Sequence, residues 1–240
     1  MSQKEETIIE HLTELRRRLI YILIFFSCSF LLAFLFASDV YQFLTSQFTV
    51  KLVVLGPNDI LWIYMTLSSL MAFTVSLPFM AYQIWAYIKP ALEPKEAKFI
   101  ILYIPSVFIC FILGLIFGFF VVTPALLEVL LKLGDGLFNT QLTAQNYIIF
   151  VFHTTIPIAV IFEFPVIMAF LTSIGLISSR FLIQYRRYAY FILIVLAVVL
   201  TPADLFSDLT LFIPLLFIYE IGIVISKMIE RKKEKKHGIS

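Results

Sequence analysis

Six apolar runs, at roughly 19–38, 67–88, 99–121, 147–172, 188–201 and 209–226, constrain this chain more than any other feature. Of its 18 Lys and Arg residues, all but Lys51 and Lys132 fall in alternate connections between those runs. An apolar run of about 20 residues, rising about 1.5 Å per residue, crosses a hydrocarbon core of about 30 Å. Alternate connections then share a side. That side collects Lys4, Arg16, Arg17 and Arg18 before the first run, Lys89, Lys95 and Lys98 after the second, and Arg180, Arg186 and Arg187 after the fourth. It ends with Lys227, Arg231, Lys232, Lys233, Lys235 and Lys236 after the sixth. Basic residues close to span ends are retained in the cytoplasm. The pattern therefore predicts an all-α polytopic membrane protein with six transmembrane helices and both termini cytoplasmic.

Composition agrees. The chain is 61% hydrophobic and 14% charged, against about 45–50% and about 25% in soluble domains. Segment 1–18 has the basic residues of a signal-peptide n-region. The run behind it is too long and lacks a small-x-small cleavage pattern, so it reads as a first span that stays. Cys28 and Cys110 sit inside apolar runs and read as small packing residues. No metal site, disulfide framework or cofactor is expected.

One membrane domain over 1–240 is expected: a cytoplasmic amphipathic helix at 1–18, the six spans, and a basic cytoplasmic tail at 227–240. The outer connections, about 39–66 and 122–146, carry turn chemistry in Gly56-Pro57-Asn58-Asp59 and Gly134-Asp135-Gly136. The last two spans read as short. The fifth, at about 21 Å, falls roughly 9 Å below the hydrocarbon thickness and predicts local bilayer thinning. Pro78, Pro105, Pro157, Pro165 and Pro214 lie inside runs, where each is expected to bend its helix, favouring a curved concave shell over a straight bundle. Gly114-Leu115-Ile116-Phe117-Gly118 is a GxxxG that lets another backbone come close.

The charged positions near and inside the spans carry the functional information. Thr7-Ile8-Ile9-Glu10 has the form of a capping box, and Ile8, Leu12, Leu15 and Leu19 follow at helical spacing. The polar side of that helix holds Glu10, Glu14, Arg17 and Arg18. Glu14 either pairs with Arg18 at i,i+4 or offers an acidic recognition point to a cationic partner. In the first cytoplasmic connection, Pro94 suits a helix first turn and Glu96 the positive end of that helix. With apolar Leu92 beside it, Glu96 also fits a basic-then-apolar peptide, since guanidinium groups favour carboxylates through bidentate bonds. Glu163, in Val160-Ile161-Phe162-Glu163-Phe164-Pro165, is a carboxyl group inside a span; it must face protein or a water-filled cavity. The bland reading is a neutral acid bonded to a backbone carbonyl freed by Pro165. Glu220 reads as an interfacial residue able to pair or snorkel.

His11-Leu12-Thr13-Glu14-Leu15-Arg16-Arg17-Arg18 resembles the HLxELRxR signature of the TatC family, the large subunit of the twin-arginine protein translocase. Pro90-Ala91-Leu92 with Glu96 is similar to that family's first cytoplasmic loop, Phe162-Glu163-Phe164-Pro165-Val166 to its fourth span, and Thr201-Pro202-Ala203-Asp204-Leu205-Phe206-Ser207 to its last outer loop. Ala203 and Asp208 depart from the family pattern, as does Asp59 where Glu is usual, which weakens the carry-over for the outer loops.

The resemblance implies a receptor and core of a translocase in the bacterial cytoplasmic membrane that exports folded proteins, driven by the proton-motive force. Its partners would be twin-arginine signal peptides, TatA-like and TatB-like single-span subunits, further copies of the chain and the lipid bilayer, with no nucleic acid. It implies peptide contact by Glu14, Leu92 and Glu96, with Arg17 and Glu10 alongside, an intramembrane polar role for Glu163, and outer-loop roles for Pro202 and Asp204. A proton-coupled small-molecule transporter using Glu163 is the alternative. Against it, no internal repeat is visible and the spans hold few polar residues. Hydrolase chemistry lacks its parts, with only His11, His153 and His237 and neither HExxH nor GxSxG.

Overall fold

Backbone polar groups in hydrocarbon find partners only within their own helix or a closed barrel, and this chain takes the helical solution. A computed structural model describes the backbone of residues 3–46, 52–88, 103–134, 142–200 and 205–237, with side chains from residue 12 to residue 233 except 133, 134, 205–207 and 210. In chain order the helices are α1 (Gln3–Thr45), α2 (Pro57–Ile88), α3 (Tyr103–Phe117), a π-helical turn at Gly118–Val122, α4 (Thr123–Gly134), α5 (Ala144–Ile161), α6 (Phe164–Ser173), α7 (Ser179–Gln184), α8 (Arg186–Leu200) and α9 (Leu205–His237). Among the described residues, five stretches are long and apolar enough to cross a membrane: Leu12–Thr45, Pro57–Ile88, Tyr103–Lys132, Ala144–Ser173 and Leu211–Lys233. The fifth expected run falls in α8, which has 15 residues and spans about 22 Å.

Several boundaries differ from the sequence expectation. No Gly or Pro lies between Gln3 and Thr45, so the amphipathic leader and the first span form one helix of 43 residues. α2 starts at Pro57, well ahead of position 67, because Gly56-Pro57-Asn58-Asp59 opens a helix there. The Asp59 N–H donates to the Gly56 carbonyl (3.1 Å) and its carboxylate accepts from the Leu55 N–H (2.9 Å). The sixth run was expected to be short; the helix that carries it has 33 residues, since the Lys-, Arg- and Glu-rich stretch after it continues the helix. Pro165 lies in the first turn of α6, directly after residues 162–163 interrupt the fourth span; Pro105 lies near the start of the described part of α3, and what precedes Tyr103 is outside the described residues. Pro78, Pro157 and Pro214 do sit inside continuing helices.

Contacts group the chain into two compact units, Met1–Phe108 with Thr143–Ile149, and Ile109–Leu142 with Phe150–Ser240. In the first, α1 and α2 run antiparallel: Phe34 meets Tyr64 and Phe25 stacks on Phe79 at 4.5 Å. Small residues line both sides of this pair, with Ala33 and Ala37 buried on α1 and Ser68, Ala72 and Ser76 buried on α2 at four-residue steps. Such stripes let helices approach where lipid supplies no hydrophobic drive. The hydroxyls of Ser27, Ser68, Ser69 and Thr74 donate to carbonyls one turn back, which satisfies them without leaving the helix. A parallel bridge between Val53 and Thr143, with the Ala144 N–H donating to Val53 (2.8 Å), ties the two longer connections together.

The second unit has its apolar core between α4, α5, α8 and α9, built on Leu126, Ile158, Leu193, Leu211, Leu215 and Ile223. Here the GxxxG is consumed within the chain. A Cβ at Gly114 would lie 2.5 Å from the Ala159 Cα, and one at Gly118 would lie 3.0 Å from the Thr155 Cα. The two glycines therefore seat α3 directly on the backbone of α5. The π-helical turn follows at once, and the Thr123 hydroxyl donates to the Gly118 carbonyl at 2.8 Å.

Candidate functional site

Glu14 faces the lower end of α2. Arg18 donates to its carboxylate from both Nε (3.0 Å) and Nη2 (2.5 Å), and also reaches across to the Gln83 amide oxygen (3.1 Å) and the Ala86 carbonyl (3.1 Å). Pro90, four residues after Ala86, has no N–H to give the Ala86 carbonyl. Arg18 takes that open acceptor. Both members of the pair are mostly buried, with 19% and 24% of the Arg18 and Glu14 side chains exposed. The i,i+4 pairing anticipated from sequence is therefore present. What spacing does not reveal is that the pair is anchored to a second helix: Gln83 is buried, and its partner lies 65 positions away. A buried amide in an otherwise apolar helix is the one signal that pointed toward such a contact.

Arg17, one position from Arg18, is exposed. Glu10 lies on α1, but its side chain is outside the described residues, as are Leu92, Glu96, Pro202 and Asp204 entirely. Their expected roles are taken up below as proposals.

Glu163 belongs to the second unit. Residues 162–163 interrupt the fourth span: α5 ends at Ile161 and α6 begins at Phe164 with Pro165 in its first turn. The side chain is 7% exposed, and neither carboxyl oxygen has a hydrogen-bond partner among the described residues. The bland reading, an acid bonded to a carbonyl freed by Pro165, is absent. Instead the Glu163 backbone is satisfied, its N–H donating to Val160 (3.1 Å) and its carbonyl accepting from Ile167 (2.9 Å), while the carboxyl group is left over. Glu220 is paired, as an interfacial residue can be. It accepts from Arg186 Nη2 at 2.8 Å and from the Tyr190 hydroxyl, joining α9 to the start of α8. Glu230, unremarked in the sequence, accepts from the Ser179 N–H (2.7 Å) and the Ser179 hydroxyl. The described residues contain no group of His, Cys, Asp and Glu arranged for a metal ion.

Long apolar helices and an ion pair clasped between the first two spans define an all-helical polytopic membrane protein. Comparison with known proteins narrows this to a family. The family of Sec-independent protein translocase protein (TatC) matches residues 10–214. The TatCd protein of Bacillus subtilis is 40% identical over 236 residues, covering 98% of each chain. TatC of Halalkalibacterium halodurans is 34% identical over 239 residues, covering 98% of this chain and 94% of its own. A crystal structure of a twin-arginine translocase receptor, TatC, superimposes with a TM-score of 0.76 at 32% identity, covering 92% of this chain and 99% of that one. The chain belongs to the TatC family, whose members are components of a protein translocase and not enzymes.

Proposed function

We propose that this chain is the receptor component of a twin-arginine translocase, sitting in a bacterial cytoplasmic membrane with six spans and both termini in the cytoplasm, and reading the arginine pair of a signal peptide with Glu14 and Glu96. The observation that carries the proposal is the clasp of Arg18 on Gln83 and Ala86. It holds the Glu14 carboxylate against the last turn of α2, from which the chain passes directly into the segment containing Leu92 and Glu96. An extended chain covers at most about 3.6 Å per residue, so Leu92 is within roughly 22 Å of the Ala86 anchor and Glu96 within roughly 36 Å. Two carboxylates so tethered suit two adjacent guanidinium groups, and Leu92 suits the apolar residues that follow them. Glu10 and Arg17 border the same helix face and tune its charge.

The charge sorting supports the orientation, because the connections rich in Lys and Arg include both segments that carry the acidic pair. The match to a solved twin-arginine translocase receptor supports the choice of ligand. Glu163, buried at a helix break with no hydrogen-bond partner for its carboxyl group among the described residues, is the position at which a single-span TatA-like or TatB-like subunit docks with a polar group of its own. Several copies of the chain assemble in the working complex. Pro202 and Asp204 shape the last outer loop.

The test is equilibrium binding of a twin-arginine peptide to the purified protein. A charge-assisted hydrogen bond contributes about 1.5–3 kcal/mol, so Glu14→Ala and Glu96→Ala are each expected to weaken binding by about ten- to a hundredfold. Unchanged affinity in both variants defeats the assignment. Uptake of a small solute by the protein alone would establish the transporter reading instead.

A further inference from the structure

We propose that the connection between α6 and α8, pinned along the end of α9, is a binding site for the headgroups of anionic phospholipids. Two acidic residues of α9 do the pinning. Glu220 holds Arg186 and Tyr190, Glu230 holds Ser179, and between them the Tyr219 hydroxyl donates to the Leu182 carbonyl (2.9 Å). Ten residues of helix separate Glu220 from Glu230, so the connection is fastened over about 15 Å of α9. Both carboxylates are turned onto protein donors. The exposed charges left on this stretch, among the described residues, are basic: Arg180 on the connection, Arg187 at the start of α8, and Lys227, Arg231 and Lys232 on α9.

Ser179 and Glu230 are hydrogen-bonded, so their sequence neighbours Arg180 and Arg231 emerge from the same contact. Arg187 is held ready, with its guanidinium 4.9 Å from the centre of the Tyr188 ring and its Nη2 donating to the Tyr188 hydroxyl at 3.1 Å. Guanidinium forks match phosphate oxygens bidentately. The same stretch also exposes large apolar groups: Leu176 is 71% exposed and Phe181 48%. The Phe181 and Tyr185 rings meet at a tilt, 4.4 Å between centres, and Tyr185 lies 5.9 Å from Tyr188.

The apolar part of α8 starts at Tyr188, so Arg187 lies at the depth where hydrocarbon gives way to headgroups. Aromatic rings concentrate at that depth, and basic pockets between helices there hold acidic headgroups. A soluble anion has no use for Leu176 and Phe181, whereas a phospholipid presents phosphate to the arginines and acyl chain to the rings. The site is independent of signal-peptide recognition and of which leaflet the connection faces.

The full-length protein, purified and equilibrated with equal amounts of phosphatidylglycerol and phosphatidylcholine, is examined by native mass spectrometry for retained lipid. The wild type is expected to keep phosphatidylglycerol in preference. Each basic residue near a membrane surface contributes about 1 kcal/mol, so the Arg180→Gln/Arg187→Gln double variant should lose that preference by about fivefold per charge removed. Arg180→Lys/Arg187→Lys should keep part of it, which separates loss of charge from loss of fold. Lys132→Gln removes an exposed charge paired with Glu128 elsewhere and should change nothing. Equal retention in wild type and the Gln variant overturns the proposal, as does a wild type without preference. Displacement of the lipid by millimolar inorganic phosphate would also overturn it, by making the site one for a free anion.

Discussion

Arg18 is the residue on which the first unit's geometry turns, because it alone joins an acidic side chain of α1 to a buried amide and an open carbonyl of α2. Truncating it leaves Gln83 buried without this donor. Arg18→Ala is therefore expected to destabilise the protein by about 2 kcal/mol or more, read as a lower melting temperature in detergent; an unchanged melt would show that the clasp contributes nothing. Gly114 makes an independent case. Its missing Cβ would meet a backbone atom of α5 at 2.5 Å, and backbone cannot swing aside as a side chain can. Gly114→Ala should cost about 1–3 kcal/mol, and Gly118→Ala less, since its nearest contact is at 3.0 Å. A reversed order of melting temperatures would contradict the close packing of α3 on α5. The sequence revealed the glycine pair and the Glu14–Arg18 spacing, because both are periodicities within one helix. It could not reveal Gln83 as the partner, since that contact depends on how two helices are laid side by side.

At the scale of elements, apolar length and proline position were legible to different degrees. Where residues are described, the expected apolar runs fall in helices, because a long apolar run has few other solutions in a membrane. Proline was harder. Pro78, Pro157 and Pro214 lie inside helices whereas Pro165 starts one, and the same residue type serves both uses. Residues 162–163, just before Pro165, break the fourth span, and Glu163 at that break carries a carboxyl group with no hydrogen-bond partner among the described residues. α8 carries the clearest physical consequence. At 15 residues it is about 22 Å long against about 30 Å of hydrocarbon. With Cys28 and Cys110 replaced by Ala, single cysteines at Tyr188 and Val199 should both react with a membrane-impermeant maleimide applied to the appropriate side, because the bilayer thins around the helix. Complete protection of the Val199 position would show that thickness is unperturbed there.

For the whole molecule, the distribution of Lys and Arg fixed the class of protein before any contact was known, and the family match and the superposition on a solved receptor agree with it. The proposed recognition site was only partly legible. Glu14 announces itself through its neighbours His11 to Arg18, but its rigid setting comes from α2, and Glu96 lies in a segment outside the described residues. The account as a whole depends on both carboxylates meeting the same ligand. Photocrosslinkers placed singly at positions 14 and 96 in the membrane-embedded translocase, with a twin-arginine precursor supplied, measure this directly. The account predicts that each position labels the region of the arginine pair and that replacing that pair with two lysines abolishes labelling at both. Labelling from one position alone, or labelling indifferent to the arginines, would contradict it.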